Sequence, residues 1–534
     1  MKLRSFAFLL AFVLCSLTLI ADDVHQHDAG EKLGTVSFPT SCAAAVERPF
    51  ERGLALLYSF EYEEAENQFK EVASDDPQCA MAYWGQAMSL YHQLWGRPER
   101  SDLKRGGELL EKARSIRATT ARERDYIEAL RVFYRDPDRL DHPRRADLYA
   151  SAMEEVYKQH PQDREAGVFY ALALLASGPE RDPQQTNARK AVAVLDKLFD
   201  EQPDHPGIAH YIIHACDNPA MADLGLRAAR KYASIAPSSP HAVHMPSHIF
   251  ARLGLWQDDI TSNLAAIAAA DKMATMHLHT MHHRMHSIDF LSYAYLQIGD
   301  DQNAKAMMDR LASLRRQDIE EDYRDYHDSM VTSLRARYAV ERRQWKEALA
   351  LEPVAGARPG VQLETWWAHA VAAGRLHDNR AAQDALHRYE KLMEAVKKGP
   401  RAYIIAGLNN EHNEVKAWAA FAAGNNDEAL RLMRAVADEQ DKVGKGESEL
   451  PAREMLADML LEVNRPREAL TEYETSLKTD PNRFNGLYGA AQAAQMTEQK
   501  QKAAGYYAQL LKNCENSHSD RPELERAKTL VAQN

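Results

Sequence analysis

The 534-residue sequence predicts an all-α fold of consecutive helix pairs, stacked as a helical-repeat solenoid with a right-handed superhelix. Three observations predict this fold. An alanine followed twelve residues later by a proline recurs along the chain, helical segments follow one another closely, and alternating β-branched runs are nearly absent. The breaks between helical segments are short, as is typical of loops between repeats: 178–187, 354–360, 397–400 and 444–451.

The repeat is clearest in three copies. They are AENQF (65–69) with Pro77, AVAVL (191–195) with Pro203, and ALTEY (469–473) with Pro481. This spacing matches the tetratricopeptide repeat (TPR), in which a small residue lies where two helices cross and a proline follows the second helix. We therefore assign residues 46–520 to a TPR-like solenoid, residues 22–45 to an irregular N-terminal cap segment and residues 521–534 to a C-terminal tail.

Residues 1–21 have the pattern of a secretory signal peptide. Lys2 and Arg4 precede an uncharged apolar run, and Ala21 marks the expected cleavage site. An uncleaved membrane anchor is the alternative. No later segment has 18 uninterrupted apolar residues, so no membrane span is expected after cleavage. The prediction is an exported protein, periplasmic or secreted.

The net charge indicates which classes of partner to expect, and the cysteine content bears on disulfide formation in the compartment of the protein. The formal net charge of −12 becomes −14 when Lys2 and Arg4 are removed, which disfavours a nucleic-acid partner. Four cysteines remain after cleavage, at positions 42, 79, 216 and 514, and an oxidising compartment permits pairing. Three pairings are possible. We favour Cys42 with Cys79, because both lie at the start of the folded region.

Histidines are concentrated in one segment. Eleven of the 22 lie within residues 205–286: His205, His210, His214, His241, His244, His248, His277, His279, His282, His283 and His286. His210 and His214 are four residues apart on a predicted helix, where two imidazoles share a face and can bind one metal ion. Pro246 predicts an extended Met245 and a helix starting at Pro246, so we expect His244 not to share a helix face with His248.

The first helices of successive TPR repeats are expected to line a concave groove. The predicted groove residues, which would contact a peptide or protein partner, are His210, His214, His248, Arg252, His283, His286, Trp366 and His412. The alternative is a metal site of copper or zinc, for which the predicted ligands are His210, His214, His248, His283 and His286. Methionines at 273, 276, 281 and 285 would favour copper as ligands, but core packing explains them better.

No common catalytic motif is present. The sequence lacks HExxH, GxSxG and a GxxxxGK[ST] phosphate loop, so no catalytic residue is assigned and no cofactor beyond copper or zinc is expected. A metal-bound water would need only the histidines, which leaves a metal-dependent hydrolase within the alternative.

Three longer stretches resemble a group of exported bacterial TPR proteins. They are FPTSC (38–42), FERGLALLYSFEYEEAENQFKEVASDDPQCAMAYWGQAMSLYHQLW (50–95) and HMPSHIFARLGLW (244–256). The resemblance implies an α-helical solenoid outside the cytoplasm and implies no particular activity. The leading hypothesis is a non-enzymatic TPR protein that binds a peptide or protein in its groove. The alternatives are the copper or zinc protein and a structural scaffold in an envelope complex.

Overall fold

The computed structural model describes residues 31–94, 96–116, 119–178, 182, 184–274, 280–319, 321–399 and 404–532. Helices make up the regular structure of this part of the chain, which contains no β-strand. The first eight helices are α1 Glu47–Tyr58, α2 Tyr62–Asp75, α3 Ala80–Ser89, α4 Arg100–Ser115, α5 Ala121–Tyr134, α6 His142–Gln159, α7 Arg164–Leu175 and α8 Thr186–Glu201. The predicted signal peptide lies outside the described residues.

The middle of the chain contains the histidine-rich helices. They are α9 Pro206–Cys216, α10 Ala222–Ile235, α11 Pro240–His244, α12 Pro246–Arg252, α13 Trp256–Ala274, α14 Met281–Gln297, α15 Asp301–Ala312, α16 Glu321–Glu341 and α17 Trp345–Leu349. The remaining helices are α18 Pro359–Arg375, α19 Asn379–Lys397, α20 Ile405–Ala422, α21 Asn426–Val443, α22 Ala452–Glu462, α23 Pro466–Thr479, α24 Phe484–Met496, α25 Lys500–Asn513 and α26 Pro522–Ala532. Single 3₁₀ turns occur at Ala44–Val46 and Arg316–Asp318.

The helix positions that the alanine–proline spacing predicts are observed in the structure. Ala65, Ala191 and Ala469 are each fully buried, and each lies in the second helix of its pair (α2, α8 and α23). Each of the three spacing prolines comes two residues after the last residue of that helix. The all-α helical-repeat solenoid is therefore confirmed.

Glycines allow the paired helices to approach closely. A Cβ at Gly53 on α1 or at Gly85 on α3 would lie within 2.8 Å of the Phe69 ring, so this ring is held between two glycines. At the other end of the chain, a Cβ at Gly489 would lie 2.3 Å from the Tyr473 ring. Because interiors are close-packed, these positions accept no side chain without displacing an aromatic ring.

The N-terminal segment has no regular structure up to residue 43. It contacts Asp204 and Ser238 through Thr35 and Lys32 and reaches the first helix pair at Phe38, whose ring packs against Phe50. Leu33, Val36 and Phe38 are buried, which is consistent with the predicted irregular cap. A disulfide joins Cys42 to Cys79 with their Cα atoms 4.6 Å apart. This is the pair that the sequence analysis favours, and the other two described cysteines are free and buried.

The predicted C-terminal tail contains helix α26. Its Leu524 and Ala527 are buried in the same apolar core as α24 and α25. Residues 522–532 therefore form one more amphipathic helix that packs against the last pair. In the part of the chain that the structure describes, no helix has the length and apolar character that a membrane crossing requires.

Contacts between residues far apart in sequence connect the two halves of the array. The indole Nε1–H of Trp256 donates to the carbonyl of Asn482 over 2.8 Å, across 226 residues of sequence. Arg483, at the start of α24, donates to Glu341 and Glu454, which lie on α16 and α22. The first half of the array is therefore packed directly against the last pairs.

Candidate metal centre

Helix α9 presents His210 and His214 on one face. Pro206 occupies its first position, where a missing N–H costs nothing, and the two imidazoles follow with centroids 4.7 Å apart. The Nδ1 atom of His210 lies 2.6 Å from the carbonyl oxygen of Tyr58. Because a carbonyl only accepts, Nδ1 carries the proton and Nε2 keeps a free lone pair. Burial lowers the pKa of His210 to about 3, so the ring is neutral.

The path of the chain through Pro246 differs from the prediction. Met245 has φ −52° and ψ −34°, a helical conformation, so α11 and α12 follow one another as an almost continuous helix. A following proline only disfavours this conformation, and the full burial of the Met245 side chain compensates for it. The Nε2 atoms of His244 and His248 therefore lie 3.1 Å apart. The expectation that these two residues would not share a face was wrong.

The first group of histidines combines α9 and α11. The Nε2 atom of His241 lies 3.0 Å from that of His210, and one ring nitrogen from each of His210, His214 and His241 falls within 4.8 Å of the others. We call these three residues triad A. The Nε2 atom of His214 is buried and has no hydrogen-bond partner within the described part of the chain. A buried ring nitrogen without a partner is costly in a site that holds no ligand.

The second group combines α11, α12 and α14. One ring nitrogen from each of His244, His248 and His286 lies within 4.8 Å of the others, and these residues form triad B. The amide nitrogen of Asn263 donates to Asp259, so its oxygen, 2.6 Å from Nδ1 of His244, is the acceptor. His244 therefore donates from Nδ1 and keeps the Nε2 lone pair toward His248.

The two triads are neighbours. The ring centroids of His241 and His244 are 6.4 Å apart, as are those of His214 and His248. Burial is the largest cause of a lowered pKa in five of the six imidazoles, namely His210, His214, His241, His244 and His286. Neutral imidazole is the form that binds a transition metal.

Two carboxylates contact the outer side of His248. Its Nδ1 atom lies 2.9 Å from Asp217 Oδ2 and 2.9 Å from Glu447 Oε1. Burial alone would lower the pKa of His248, but these carboxylates raise it to about 10. Arg252 donates to Asp217 over 2.9 Å and neutralises part of this charge. Because that guanidinium occupies the carboxylates, they act as acceptors for His248 rather than as a further cation site.

A cavity of about 930 Å³ adjoins triad A at His214. Asp217, Arg252, Glu411 and Glu414 are among its other lining residues. Burial raises the pKa of each of these two glutamates to about 8. Among the described residues, neither carboxylate has a cationic partner within ion-pair distance. Both carboxyl groups are therefore mostly protonated at neutral pH, and this part of the cavity lining is polar but largely uncharged.

The predicted groove residues are distributed over several places. His210, His214, His248 and His286 lie in the triads, and Arg252 lies beside them. His283 instead contacts Glu61, with 3.1 Å between Nε2 and Oε2. Trp366 packs against the Arg388 guanidinium, and His412 pairs with Glu390, both away from the triads. His277 and His279 lie outside the described residues.

The sequence analysis missed three residues at this centre. His244 was left out of the ligand set because Pro246 was expected to end helical geometry, whereas a four-residue spacing read through the proline would have found it. His241 was counted among the clustered histidines and given no role. Glu447 gave no local signal, since 199 residues separate it from His248. Met285 is fully buried among Ile288 and other apolar side chains, as the core-packing interpretation of the methionines predicts.

Comparisons with known proteins address the fold. A family model described as a tetratricopeptide repeat matches residues 50–101 and 454–518. These two segments carry tetratricopeptide repeats. Such repeats generally serve as scaffolds for protein interactions. No curated protein sequence matches the chain.

Solved structures also match over most of the length. The TPR domain of P58(IPK) is 15% identical, with 92% of this chain and 99% of that chain covered and a TM-score of 0.20. The structure of Naa15/Naa10 bound to HypK-THB is 12% identical, with 91% of each chain covered and a TM-score of 0.25. The human IFIT1 dimer with PPP-AAAA is 10% identical, with 81% and 90% covered and a TM-score of 0.36.

Proposed function

We propose that this protein is an exported transition-metal protein in which triad A and triad B each bind one ion, copper or zinc, and the cavity lined by His214 admits a ligand to triad A. Six imidazoles with no carboxylate or thiolate among the inward-facing donors suit copper, zinc, nickel or iron, and disfavour calcium and magnesium. Copper and zinc are the two that the exported location favours.

One observation carries the proposal: acceptors on their outer side fix the histidines so that their Nε2 atoms face one another, and an ion at triad B would displace the proton that His248 holds at Nε2. His210, His244 and His248 each have Nδ1 against an acceptor, provided by a backbone carbonyl, an amide oxygen and two carboxylates. Such outer partners are typical of metal-binding histidines, whose orientation they fix. The inward N···N distances of 3.0 and 3.1 Å are close to the ~3.3 Å expected between two nitrogens that bind one tetrahedral ion at 2.0–2.1 Å.

A metal ion also removes the cost of this arrangement. The buried His214 Nε2 lacks any hydrogen-bond partner in the described residues. An ion at each triad would supply the missing contact. The buried location argues against an open histidine-lined groove, since His210, His241 and His244 are at most 2% exposed.

Binding of a peptide or protein partner is the second candidate function. The cavity of about 930 Å³ favours it, because this volume lies at the upper end of the range for ligand sites and its lining is polar. Glu411 and Glu414, mostly protonated at neutral pH, would contribute hydrogen-bonding groups to this lining rather than negative charge.

The test uses the full chain purified from the exported fraction. Metal content by mass spectrometry, and titration of the metal-stripped protein with Cu²⁺ and Zn²⁺, are measured for the wild type, His210→Ala, His244→Ala and the control His412→Ala. We expect two equivalents in the wild type and in the control, and one in each triad variant. A wild type that binds less than about a tenth of an equivalent, or triad variants that bind as the wild type does, would refute the proposal.

A further inference from the structure

The loop between α21 and α22, residues 444–451, crosses to the histidine triads from the other half of the chain. The carbonyl of Lys445 accepts from Arg252 over 2.8 Å, and the Lys445 ammonium pairs with Asp480 over 2.7 Å. On the other side of Glu447, the Ser448 hydroxyl donates to Asp289 over 3.0 Å. Glu447 is thus held between two anchored residues.

The Glu447 carboxylate contacts His248 within hydrogen-bond distance. Its Oε1 lies 2.9 Å from Nδ1 of His248 and 3.6 Å from the nearest Arg252 nitrogen. Its side chain is 16% exposed, whereas Glu449, two residues later, is exposed to solvent. Placing a carboxylate here costs desolvation, which the imidazole N–H and the guanidinium offset.

The contacted atom decides what Glu447 can do. The Nδ1 atom lies on the side of the imidazole away from Nε2, and Nε2 is the atom that faces His244 in triad B. A carboxylate at Nδ1 therefore accepts a hydrogen bond from the ring N–H and fixes the ring plane. It also makes Nε2 a stronger electron-pair donor to a metal ion. Asp217, at the C-terminal end of α9, contacts the same Nδ1 atom. His248 therefore has one acceptor from the histidine-rich helices and a second from the loop at residues 444–451.

We infer that Glu447 is a positioning residue for triad B, which makes the metal site of the histidine helices depend on the loop of the C-terminal repeats. This inference rests on the proposed metal function. It assigns Glu447 no direct contact with the ion, and it predicts a much smaller effect on triad A, where Glu447 acts on His214 through its charge alone and not through a hydrogen bond among the described residues.

The experiment compares the full chain with Glu447→Gln and with the matched control Glu449→Gln, using Co²⁺ as a spectroscopic probe in place of the native ion. Glutamine keeps the size and can still accept, but it removes the negative charge. We expect Glu447→Gln to weaken one of the two Co²⁺ sites about 10- to 100-fold and to change the visible absorption of that site alone. Glu449→Gln is expected to match the wild type in both readouts.

Each outcome bears on one claim. Unchanged affinity and absorption in Glu447→Gln would overturn the inference and leave the metal function standing, whereas a wild type that binds no Co²⁺, Cu²⁺ or Zn²⁺ would refute the metal function itself. If Glu447→Gln fails to fold, Glu447→Asp replaces it. The shorter carboxylate must then give a smaller shift at the same single site, and equal weakening of both sites would contradict a role through His248.

Discussion

Replacing Arg483 by methionine is expected to destabilise the C-terminal pairs by about 3–5 kcal/mol. Arg483 is 1% exposed, and its guanidinium lies 2.7 Å from Glu341 and 2.9 Å from Glu454, which are themselves buried. Methionine keeps most of the side-chain volume and removes the charge. Two carboxylates are then left in a low-dielectric interior without their cation, and the magnitude is that measured when one partner of a buried ion pair is removed.

The assay must report on individual helices, because a long repeat array need not unfold in one step. Amide hydrogen exchange in α22 and α24 gives the local free energy of opening, and urea denaturation followed by circular dichroism gives the overall midpoint. The companion variant combines Arg483→Met with Glu341→Gln and Glu454→Gln, and we expect it to recover most of the loss. An Arg483→Met protein within about 1 kcal/mol of the wild type, or a companion variant no more stable than the single one, would refute the reasoning.

The remaining predictions concern packing, covalent closure and pH. Gly489→Ala should lose about 1–3 kcal/mol of unfolding free energy, because its Cβ would lie 2.3 Å from an aromatic ring, while Gly505→Ala, with open space around it, should lose nothing in the same urea titration. The double substitution Cys42→Ala and Cys79→Ala opens a loop of 37 residues and should lower the unfolding free energy of the first pairs by about 4 kcal/mol. A reductant should produce the same loss in the wild type and no further loss in the variant. Burial raises the pKa of Glu414 from 4.5 to about 8, so the folded state retains a proton that the unfolded chain releases, and stability falls as pH rises between those values. Glu414→Gln should therefore exceed the wild type by about 1–4 kcal/mol at pH 9 and equal it near pH 5, and equal stability at both pH values would contradict the raised pKa.

The sequence predicts the repeat well because its signals are local. Ala65 and Pro77 belong to one helix and its end, so a fixed spacing reports the phase directly. The histidine segment is also visible as a composition bias. The centre itself depends on two facts that lie outside local preference: Met245 adopts a helical conformation before a proline, and Glu447 arrives from a loop far along the chain. Tertiary packing decides both, and for this reason the predicted ligands did not include His244 and no signal in the sequence indicated Glu447.

The hydrogen bond between Trp256 and Asn482 has a consequence for how the chain folds. Solenoids built only from neighbour contacts have low contact order and fold quickly, since each repeat can dock on the one before it. Here the partners are 226 residues apart, so closing this contact must overcome the entropy of a very long loop. We expect a slow final phase in which the last pairs settle against α13. Truncation of the last helix pairs would therefore expose the surface of the first half against which they pack, rather than remove an independent repeat.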